Sequence, residues 1–439
     1  MTFGMCRILG LGVSIFLSAG NSVATKAENV LVFGDSLSDE YAFMPFSESD
    51  NPDWRARNWV EILAEVREED LGFGEYREDP WDAVRREGFE YNWAVPGMTA
   101  AQLRMLLSDP EFAGEREMLD EQIDGHVDRA VVMIGVNDFY NTYSSIYEGS
   151  DGGALGERVN EDIEFIVSYL KSVNGRLAIA VANIPDPGAT PRVVERYPDP
   201  AGRKRVEGAI REANEGIQTM VGEKGLALID LFSVSIRLIE GTPFLVDGLD
   251  ILERGHPDNH PNFLFTRDDF HPGTVAHGVY ANQVIEAINL EWEGGVESIE
   301  EASILALAGL PVEESFEEWI RHFRVGDSGL DATPGGDGIP NAVKYVLGLN
   351  PERNENGRFP EAETVFNENG EMTLEVTYRP RRDENGRFSL SPRYSEDFFN
   401  WEDVPPQQKE VGGDGSIRAF MPLANGRGFM RFRVIIEEP

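Results

Sequence analysis

Four short apolar runs, separated by amphipathic segments, constrain the fold of this 439-residue chain more than any other feature. Between the runs lie stretches with helical periodicity, such as ERVNEDIEFIVSYLKSV at 157–173. Continuous apolar strands that alternate with amphipathic helices are typical of a parallel sheet covered by helices on both faces. Because such sheets bind ligands at the carboxyl ends of their strands, functional residues are expected directly after the runs. The runs are VLVF (30–33), AVVMIGV (130–136), LAIAVANI (177–184) and LALIDLF (226–232).

The first run ends in Gly-Asp-Ser, which places Ser36 at the end of a strand. Serine is a weak nucleophile, and it needs a base, a group that orients the base, and donors for the oxyanion that forms. Asp35 is expected to brace the turn. A second Gly-Asp-Ser at 326–328 follows a polar helix and has no later Asp-x-x-His, so we interpret it as unrelated to catalysis.

The partners that Ser36 needs are present elsewhere in the chain. Gly97 lies in YNWAVPGMTA, Asn137 follows AVVMIGV, and Asp268 and His271 lie in RDDFHPG. Together these residues resemble the GDSL, or SGNH, family of serine hydrolases, and phrases such as FGDSLSD and HPGTVAHG resemble its lipase-type branch. The resemblance rests on four blocks within residues 28–290: GDSL (34–37), N-x-A-x-x-G (92–97), G-x-N-D (135–138) and D-x-x-H (268–271).

The resemblance implies a role for each of these residues. Ser36 would be the nucleophile, and His271 would be the base that later protonates the leaving alcohol. Asp268 would orient His271 and stabilise its imidazolium form. The backbone N–H groups of Ser36 and Gly97 and the side-chain amide of Asn137 would form the oxyanion hole. The implied fold is a three-layer, flavodoxin-like α/β sheet, and the implied reaction needs no cofactor.

The residues themselves leave structural alternatives open. The acid is less firmly assigned than the base, because Asp269 also neighbours the histidine and only the family spacing favours Asp268. Four residues near the ends of predicted strands could instead have structural roles, as helix caps or as a turn glycine. For Asp138, capping is the preferred interpretation. These positions are Ser36, Gly97, Asn137 and Asp138.

The remaining histidines are expected to lie outside the catalytic group. His256 and His260 occupy a Pro-rich loop and are interpreted as lining an approach for substrate. His277 is expected to be structural. His126 and His322 have no partner that the sequence identifies.

The N-terminal residues 1–27 have the layout of a secretory signal peptide. Arg7 is followed by the apolar stretch ILGLGVSIFLSA. Two possible cleavage sites with small residues come next, Ser22-Val23-Ala24 and Thr25-Lys26-Ala27. The alternative is a buried first helix. The only cysteine, Cys6, precedes the apolar stretch, so the mature chain is expected to have neither disulfides nor thiolate metal sites. A secreted or periplasmic location follows from this interpretation.

The strongly acidic composition excludes two classes of partner. The formal net charge is −39 at pH 7, which repels nucleic acid phosphates and anionic lipid headgroups. No later window reaches the length of an apolar membrane span, so the mature chain is expected to have no integral membrane segment. The sequence also lacks G-x-S-x-G, H-E-x-x-H and a P-loop, which argues against other common hydrolase and nucleotide-binding classes.

Three regions are predicted after the signal peptide: a hydrolase domain (28–295), a helical linker (296–350) and a small β-rich module (351–439). Within the linker, TPGGDGIPNAVKYVLGLNP (333–351) resembles the calcium loops of exported bacterial proteins, but several of its ligand positions hold residues that do not bind Ca²⁺. Thr333 and Gly335 replace early ligands, and Lys344 replaces the closing acid. No metal is therefore predicted in the chain.

The sequence favours a secreted serine ester hydrolase that acts through an acyl-enzyme. Acyl lipids and O-acetylated carbohydrates both remain open as substrates. The alternative is a non-catalytic surface or carbohydrate-binding protein on a vestigial hydrolase fold. The β-rich module could bind polysaccharide through Trp401 or Phe398, attach the enzyme to a surface, or serve only in packing.

Overall fold

The computed structural model describes residues 27–81, 87–292, 295–310, 312, 314–366, 371–381, 387–413, 415–423 and 427–436. The signal peptide predicted at 1–27 lies outside these ranges except for its last residue. Among the described residues, no helix has both the length and the apolar character needed to cross a membrane.

The N-terminal part of the chain alternates strands with helices. Its strands are β1 (Glu28–Gly34), β2 (Leu71–Gly72), β3 (Tyr76–Arg77), β4 (Gly88–Phe89), β5 (Arg129–Met133), β6 (Ala178–Ala182), β7 (Ala227–Ile229), β8 (Phe244–Val246), β9 (Leu249–Gly255) and β10 (Phe263–Phe265). Its helices are α1 (Trp59–Val66), α2 (Ala100–Ser108), α3 (Ala113–Gly125), α4 (Val136–Tyr147), α5 (Gly153–Val173), α6 (Pro191–Arg196), α7 (Pro200–Lys224), α8 (Phe232–Ile239) and α9 (Thr274–Trp292).

The predicted parallel sheet is confirmed. Within the described residues it has five strands in the order β2-β1-β5-β6-β7, and each neighbouring pair is parallel. This is the strand order of flavodoxin-like folds. All four apolar runs contain a strand of this sheet, and the run 130–136 ends as a strand at Met133 because α4 begins at Val136.

Alternate residues of each strand enter opposite cores, as the pleat of a strand requires. In β1, Leu31 and Phe33 pack with α2, α5 and α7, whereas Val30 and Val32 pack with α1 and α9. The sheet is thus the middle of three layers. Both faces are buried, which explains why the runs are continuously apolar rather than alternating.

The segment after α9 contains short helices and then two antiparallel sheets. The helices are α10 (Glu301–Leu307), α11 (Phe316–Arg321) and α12 (Asn341–Leu347). The sheets have the orders β11-β12-β16-β15 and β14-β13-β17 among the described residues. Their strands are β11 (Ala362–Phe366), β12 (Met372–Tyr378), β13 (Phe388–Ser395), β14 (Glu402–Asp403), β15 (Lys409–Val411), β16 (Ile417–Pro422) and β17 (Phe429–Ile436).

Lys344 lies in the segment 333–351, for which a resemblance to calcium loops was predicted. Its ammonium lies 2.6 Å from Oδ2 of Asp337, 2.8 Å from the carbonyl oxygen of Arg353 and 3.3 Å from that of Asn350. Neither side chain of the Lys344–Asp337 pair has exposed surface. A Cβ atom at Gly335 would lie 2.0 Å from the Arg353 oxygen and 2.6 Å from the ammonium. The ammonium of Lys344 therefore links oxygen atoms from three parts of the segment 337–353.

Replacing Lys344 by methionine is expected to lower the free energy of unfolding by about 3–5 kcal/mol, because it leaves the Asp337 carboxylate buried without its cation. The matched control is Lys224→Met, which removes an exposed pair with Glu164 at 2.9 Å and should cost about 0–1 kcal/mol. Urea unfolding of both variants measures the difference. Equal losses would mean that the buried pair adds no net stability.

Candidate active site

Ser36 lies in a tight turn directly after β1. The backbone carbonyl of Asp35 accepts hydrogen bonds from the N–H groups of Ser38 at 3.0 Å and Asp39 at 2.9 Å. The side-chain Oδ1 of Asp35 accepts a third, from the N–H of Leu37 at 2.9 Å. Asp35 is fully buried, and burial raises the pKa of its carboxyl to about 7 despite these donors. Asp35 thus braces the turn that presents Ser36, as predicted from the sequence.

His271 lies between Ser36 and a carboxylate. Its Nε2 is 3.0 Å from the Ser36 Oγ, and its Nδ1 is 2.7 Å from Oδ2 of Asp268. The other carboxylate oxygen of Asp268 accepts the backbone N–H groups of Phe270 and His271, both at 2.9 Å. This arrangement allows a proton to pass from the serine hydroxyl to an imidazole whose orientation is fixed from behind.

The carboxylate that contacts His271 belongs to Asp268, and that of Asp269 points elsewhere. Oδ1 of Asp269 accepts the N–H of Gly255 at 2.7 Å, at the end of β9. Asp269 has a φ of 58°, a left-handed conformation that is uncommon for a residue with a side chain. The backbone N–H of Arg192 donates to its carbonyl at 3.0 Å. The turn between Asp268 and His271 is therefore held from two neighbouring elements.

The charges around Asp268 keep it ionised. Burial by itself raises the pKa of this carboxyl, but the hydrogen bond and charge of His271 and the backbone donors together lower it to about 2. The guanidinium of Arg192 also lies 3.5 Å from its Oδ2. At neutral pH, Asp268 can therefore stabilise a positive charge on His271.

The backbone N–H groups of Ser36 and Gly97 are the two that the resemblance assigns to an oxyanion hole. Within the described ranges, the N–H groups of Ser36 and Gly97 donate to no protein acceptor. Gly97 has a φ of 76°, and a Cβ atom there would meet nothing within 4 Å. The backbone conformation, rather than crowding, therefore favours glycine at this position. Neither N–H group is committed to an acceptor within the described protein.

Asn137 lies in the first turn of α4, immediately after β5. Its Nδ2 lies 3.1 Å from Oδ2 of Asp35 and 3.1 Å from the carbonyl oxygen of Met98. The neighbouring Asp138 accepts the N–H of Ala100 at 3.0 Å, at the start of α2. Asp138 thus lies within α4 and bonds to α2, so the prediction that it caps the helix after its own strand is wrong, and the N-cap position of α4 is Gly135. Asn137 faces the turn that carries Ser36.

An apolar pocket opens beside Ser36. Two of its polar lining groups are already bonded within the protein: Asp186 accepts the N–H of Gly188 at 2.7 Å, and the Thr190 hydroxyl donates to the Pro187 carbonyl at 2.8 Å. The pocket therefore offers mainly carbon atoms to a ligand. Six of its apolar lining residues are Leu37, Val136, Pro185, Leu238, Phe265 and Phe270.

The sequence of this region decides the family. A family model described as GDSL-like lipase/acylhydrolase matches residues 30–284. The chain belongs to the GDSL-like lipase/acylhydrolase family. This confirms the resemblance derived from the four sequence blocks, and it makes the chain a carboxylic ester hydrolase by family. The matched range contains every residue predicted for the site.

Solved structures with partial likeness to this GDSL-like hydrolase include three esterases or lipases. The acetyl xylan esterase AlAXEase is 14% identical, with 59% of this chain and 99% of that chain covered and a TM-score of 0.36. The lipase Lip_vut3 from a goat rumen metagenome is 12% identical, with 60% and 97% covered and a TM-score of 0.38. A family 3 carbohydrate esterase from Talaromyces cellulolyticus is 15% identical, with 61% and 99% covered and a TM-score of 0.32. No curated protein gave a significant match.

The other histidines of this GDSL-like hydrolase lie apart from the Ser36 pocket. His256 and His260, expected to line a substrate approach, are not among the lining residues of that pocket and instead pack against His322. The sequence identified no partner for His322, and the structure places its Nε2 2.8 Å from Glu314. His277 is buried beside Tyr41, and burial lowers the pKa of its imidazole to about 3, in keeping with the predicted structural role.

Sequence reasoning missed an aromatic contact to the histidine of the site. The ring of Phe46 stacks on His271 with centroids 3.9 Å apart and an interplanar angle of 4°. The Nδ2 of Asn259 donates to the carbonyls of Phe46 and Glu48, both at 2.9 Å, and its Oδ1 accepts the N–H of Arg267 at 2.6 Å. Asn259 thus joins the stacking loop to the turn that carries Asp268 and His271. The only sequence signal was an asparagine in a Pro-rich loop.

Replacing Asn259 by glycine is expected to lower kcat by roughly 10- to 100-fold with a small change in KM, because Phe46 and His271 lose their common support. Glycine tolerates the φ of 49° at this position, so the substitution removes the hydrogen bonds without backbone strain. The control is Asn174→Gly, which removes bonds to Ile123 and Arg176 far from the site. An unchanged kcat with a lowered Tm would show that Asn259 serves only stability.

Proposed function

We propose that this GDSL-like hydrolase cleaves carboxylic esters through an acyl-enzyme formed on Ser36. The continuous contact from Asp268 through His271 to Ser36, with distances of 2.7 and 3.0 Å, is the observation that carries the proposal. Unlike a general binding surface, this arrangement makes a hydroxyl nucleophilic and then holds the proton it loses.

In the proposed mechanism, the Ser36 Oγ attacks the ester carbonyl while its proton moves to Nε2 of His271. The N–H groups of Ser36 and Gly97 and the Asn137 amide stabilise the oxyanion. The imidazolium gives its proton to the alkoxy oxygen, and the C–O bond to the alcohol breaks. Water then loses a proton to His271 and attacks the acyl-enzyme, and the returning proton restores Ser36 as the acid leaves.

The apolar pocket supports an acyl chain longer than acetyl as the group transferred to Ser36. Each methylene that moves from water into the pocket is worth about 0.8 kcal/mol. With p-nitrophenyl esters from acetate to palmitate, kcat/KM is therefore expected to rise about threefold to fourfold per CH₂ until the pocket is filled. A rate confined to acetate would contradict this and would favour deacetylation of carbohydrate.

A serine-reactive fluorophosphonate separates the proposed enzyme from a vestigial fold that only binds. Folded protein should be labelled at Ser36, and Ser36→Ala should remain unlabelled. Folded wild-type protein without label would favour the non-catalytic alternative, because the probe requires an activated serine rather than a particular ester.

Export is the second part of the proposal, and it rests on the signal-peptide layout of residues 1–27. N-terminal sequencing of protein recovered outside the cytoplasm should find a start after Ala24 or Ala27. Protein that keeps Met1 and stays in the cytoplasm would contradict export while leaving the esterase proposal untouched.

A further inference from the structure

Three side chains that commonly bind metals meet in the interior, away from Ser36. His260 lies in the loop between β9 and β10, Glu314 precedes α11, and His322 follows α11 directly. One ligand atom from each lies within 4.8 Å of the others. Oε2 of Glu314 is 2.8 Å from Nε2 of His322 and 3.7 Å from Nε2 of His260.

The cluster is largely buried among aromatic rings, and the imidazole of His256 packs against both of its histidines. The His260, Glu314 and His322 side chains are 4%, 6% and 15% exposed. Trp54 packs on His260 with ring centroids 4.6 Å apart, and Phe263 contacts both imidazoles at 5.8 and 5.4 Å. A carboxylate in such surroundings requires a positive charge close by. Either an imidazolium or a metal ion can supply it.

We propose that His260, Glu314 and His322 bind a divalent transition-metal ion, for which Zn²⁺ is the best match. Two imidazoles and one carboxylate are a common zinc ligand set, whereas Ca²⁺ and Mg²⁺ prefer oxygen ligands. Bonds of about 2.0–2.2 Å to one tetrahedral ion place the ligand atoms roughly 3.4 Å apart. The 3.7 Å separation between Glu314 and His260 would therefore shorten slightly, and the 2.8 Å separation between Glu314 and His322 would lengthen to admit the ion. The site differs from the sequence prediction that the chain holds no metal.

Metal binding through the two Nε2 atoms replaces two contacts, and the first is the 2.8 Å hydrogen bond between His322 and Glu314, whose place the ion takes. In the second, the Nδ1 of His260 lies 3.2 Å from the N–H of Asn262, and a metal-bound imidazole that carries its proton on Nδ1 gives up this contact. The contact is long for a hydrogen bond and involves neutral groups, so it is weak. The gain is a metal cation beside the buried carboxylate of Glu314.

The proposed ion would join the hydrolase part of the chain to the helical segment that follows. His260 lies next to Asn259, whose side chain supports the loop that stacks Phe46 on His271. Metal removal is therefore expected to lower Tm and to loosen this loop. The ion itself lies outside the proposed ester-cleaving residues, so it is a structural site.

The test is a titration of tag-free, chelator-treated protein with Zn²⁺ by isothermal calorimetry. We expect about one bound ion per chain in wild type and in Ser36→Ala, with a rise in Tm on binding. Changing a residue that hydrogen-bonds to a metal ligand typically weakens binding by roughly 10- to 100-fold. Glu314→Gln changes a proposed ligand itself, so it should weaken Zn²⁺ binding by more than that. His126→Gln, which changes a histidine outside the cluster, should bind Zn²⁺ as wild type does.

Several results would overturn the site. Folded wild-type protein that binds no Zn²⁺, or Glu314→Gln that binds as wild type does, would show that Glu314 is balanced by an imidazolium instead. If Glu314→Gln does not fold, the visible absorption of Co²⁺ bound to wild type reports whether the ligands are nitrogen and oxygen in tetrahedral geometry. Because Ser36→Ala is included, failure of this site is separable from failure of the esterase proposal.

Discussion

Replacing Ser36 by alanine is expected to lower kcat on p-nitrophenyl esters by about four to six orders of magnitude. The hydroxyl is the atom that would form the covalent intermediate, so no neighbouring group can take its place. His271 and Asp268 lose their function at the same time, because they act only on the proton of that hydroxyl. Steady-state rates of purified protein, with folding checked by circular dichroism, measure the effect.

The chain provides a matched control in its second Gly-Asp-Ser. Ser328 lies in an exposed loop among the described residues and has no strand before it. Ser328→Ala should therefore keep the full rate. Near-normal activity in Ser36→Ala would refute the nucleophile assignment, and a large loss in Ser328→Ala would show that the family blocks had pointed to the wrong serine.

The strands and their end residues could be predicted because the signals are local. A buried parallel strand needs a continuous apolar run, and VLVF and AVVMIGV end directly before the turns that carry Ser36 and Asn137. Given one sheet with parallel strands, these two residues must come to the same edge. The Asp-x-x-His turn was predictable for the same reason, since Asp268 and His271 are three residues apart.

The contacts that the sequence did not reveal join positions far apart in the chain. Asn259 reaches Phe46 across 213 residues, and Asn259 itself has a left-handed φ of 49°. Lys344 could be seen as the loss of a calcium ligand, but its three oxygen partners depend on how the chain returns at Arg353. Such pairings follow from tertiary packing, and neither periodicity nor composition encodes them.

Asn137→Ala is expected to lower kcat by about 10²- to 10³-fold, the usual loss for one oxyanion donor. In the free enzyme the amide contacts Asp35 and the Met98 carbonyl. A substrate oxyanion can replace the Met98 contact while the bond to Asp35 keeps the side chain in place. Because the oxyanion exists only in the transition state, KM should change little.

The kinetics of Asn137 variants distinguish an amide that donates a hydrogen bond to the oxyanion from one that only supports the surrounding structure. Asn137→Asp retains the size of the side chain but places a second carboxyl beside Asp35, so it should lose as much kcat as Asn137→Ala does. A pure rise in KM would make Asn137 a binding residue. A loss below about tenfold, with a lowered Tm, would mean that the amide stays with Asp35 and Met98 throughout the reaction. The N–H groups of Ser36 and Gly97 would then stabilise the oxyanion without it.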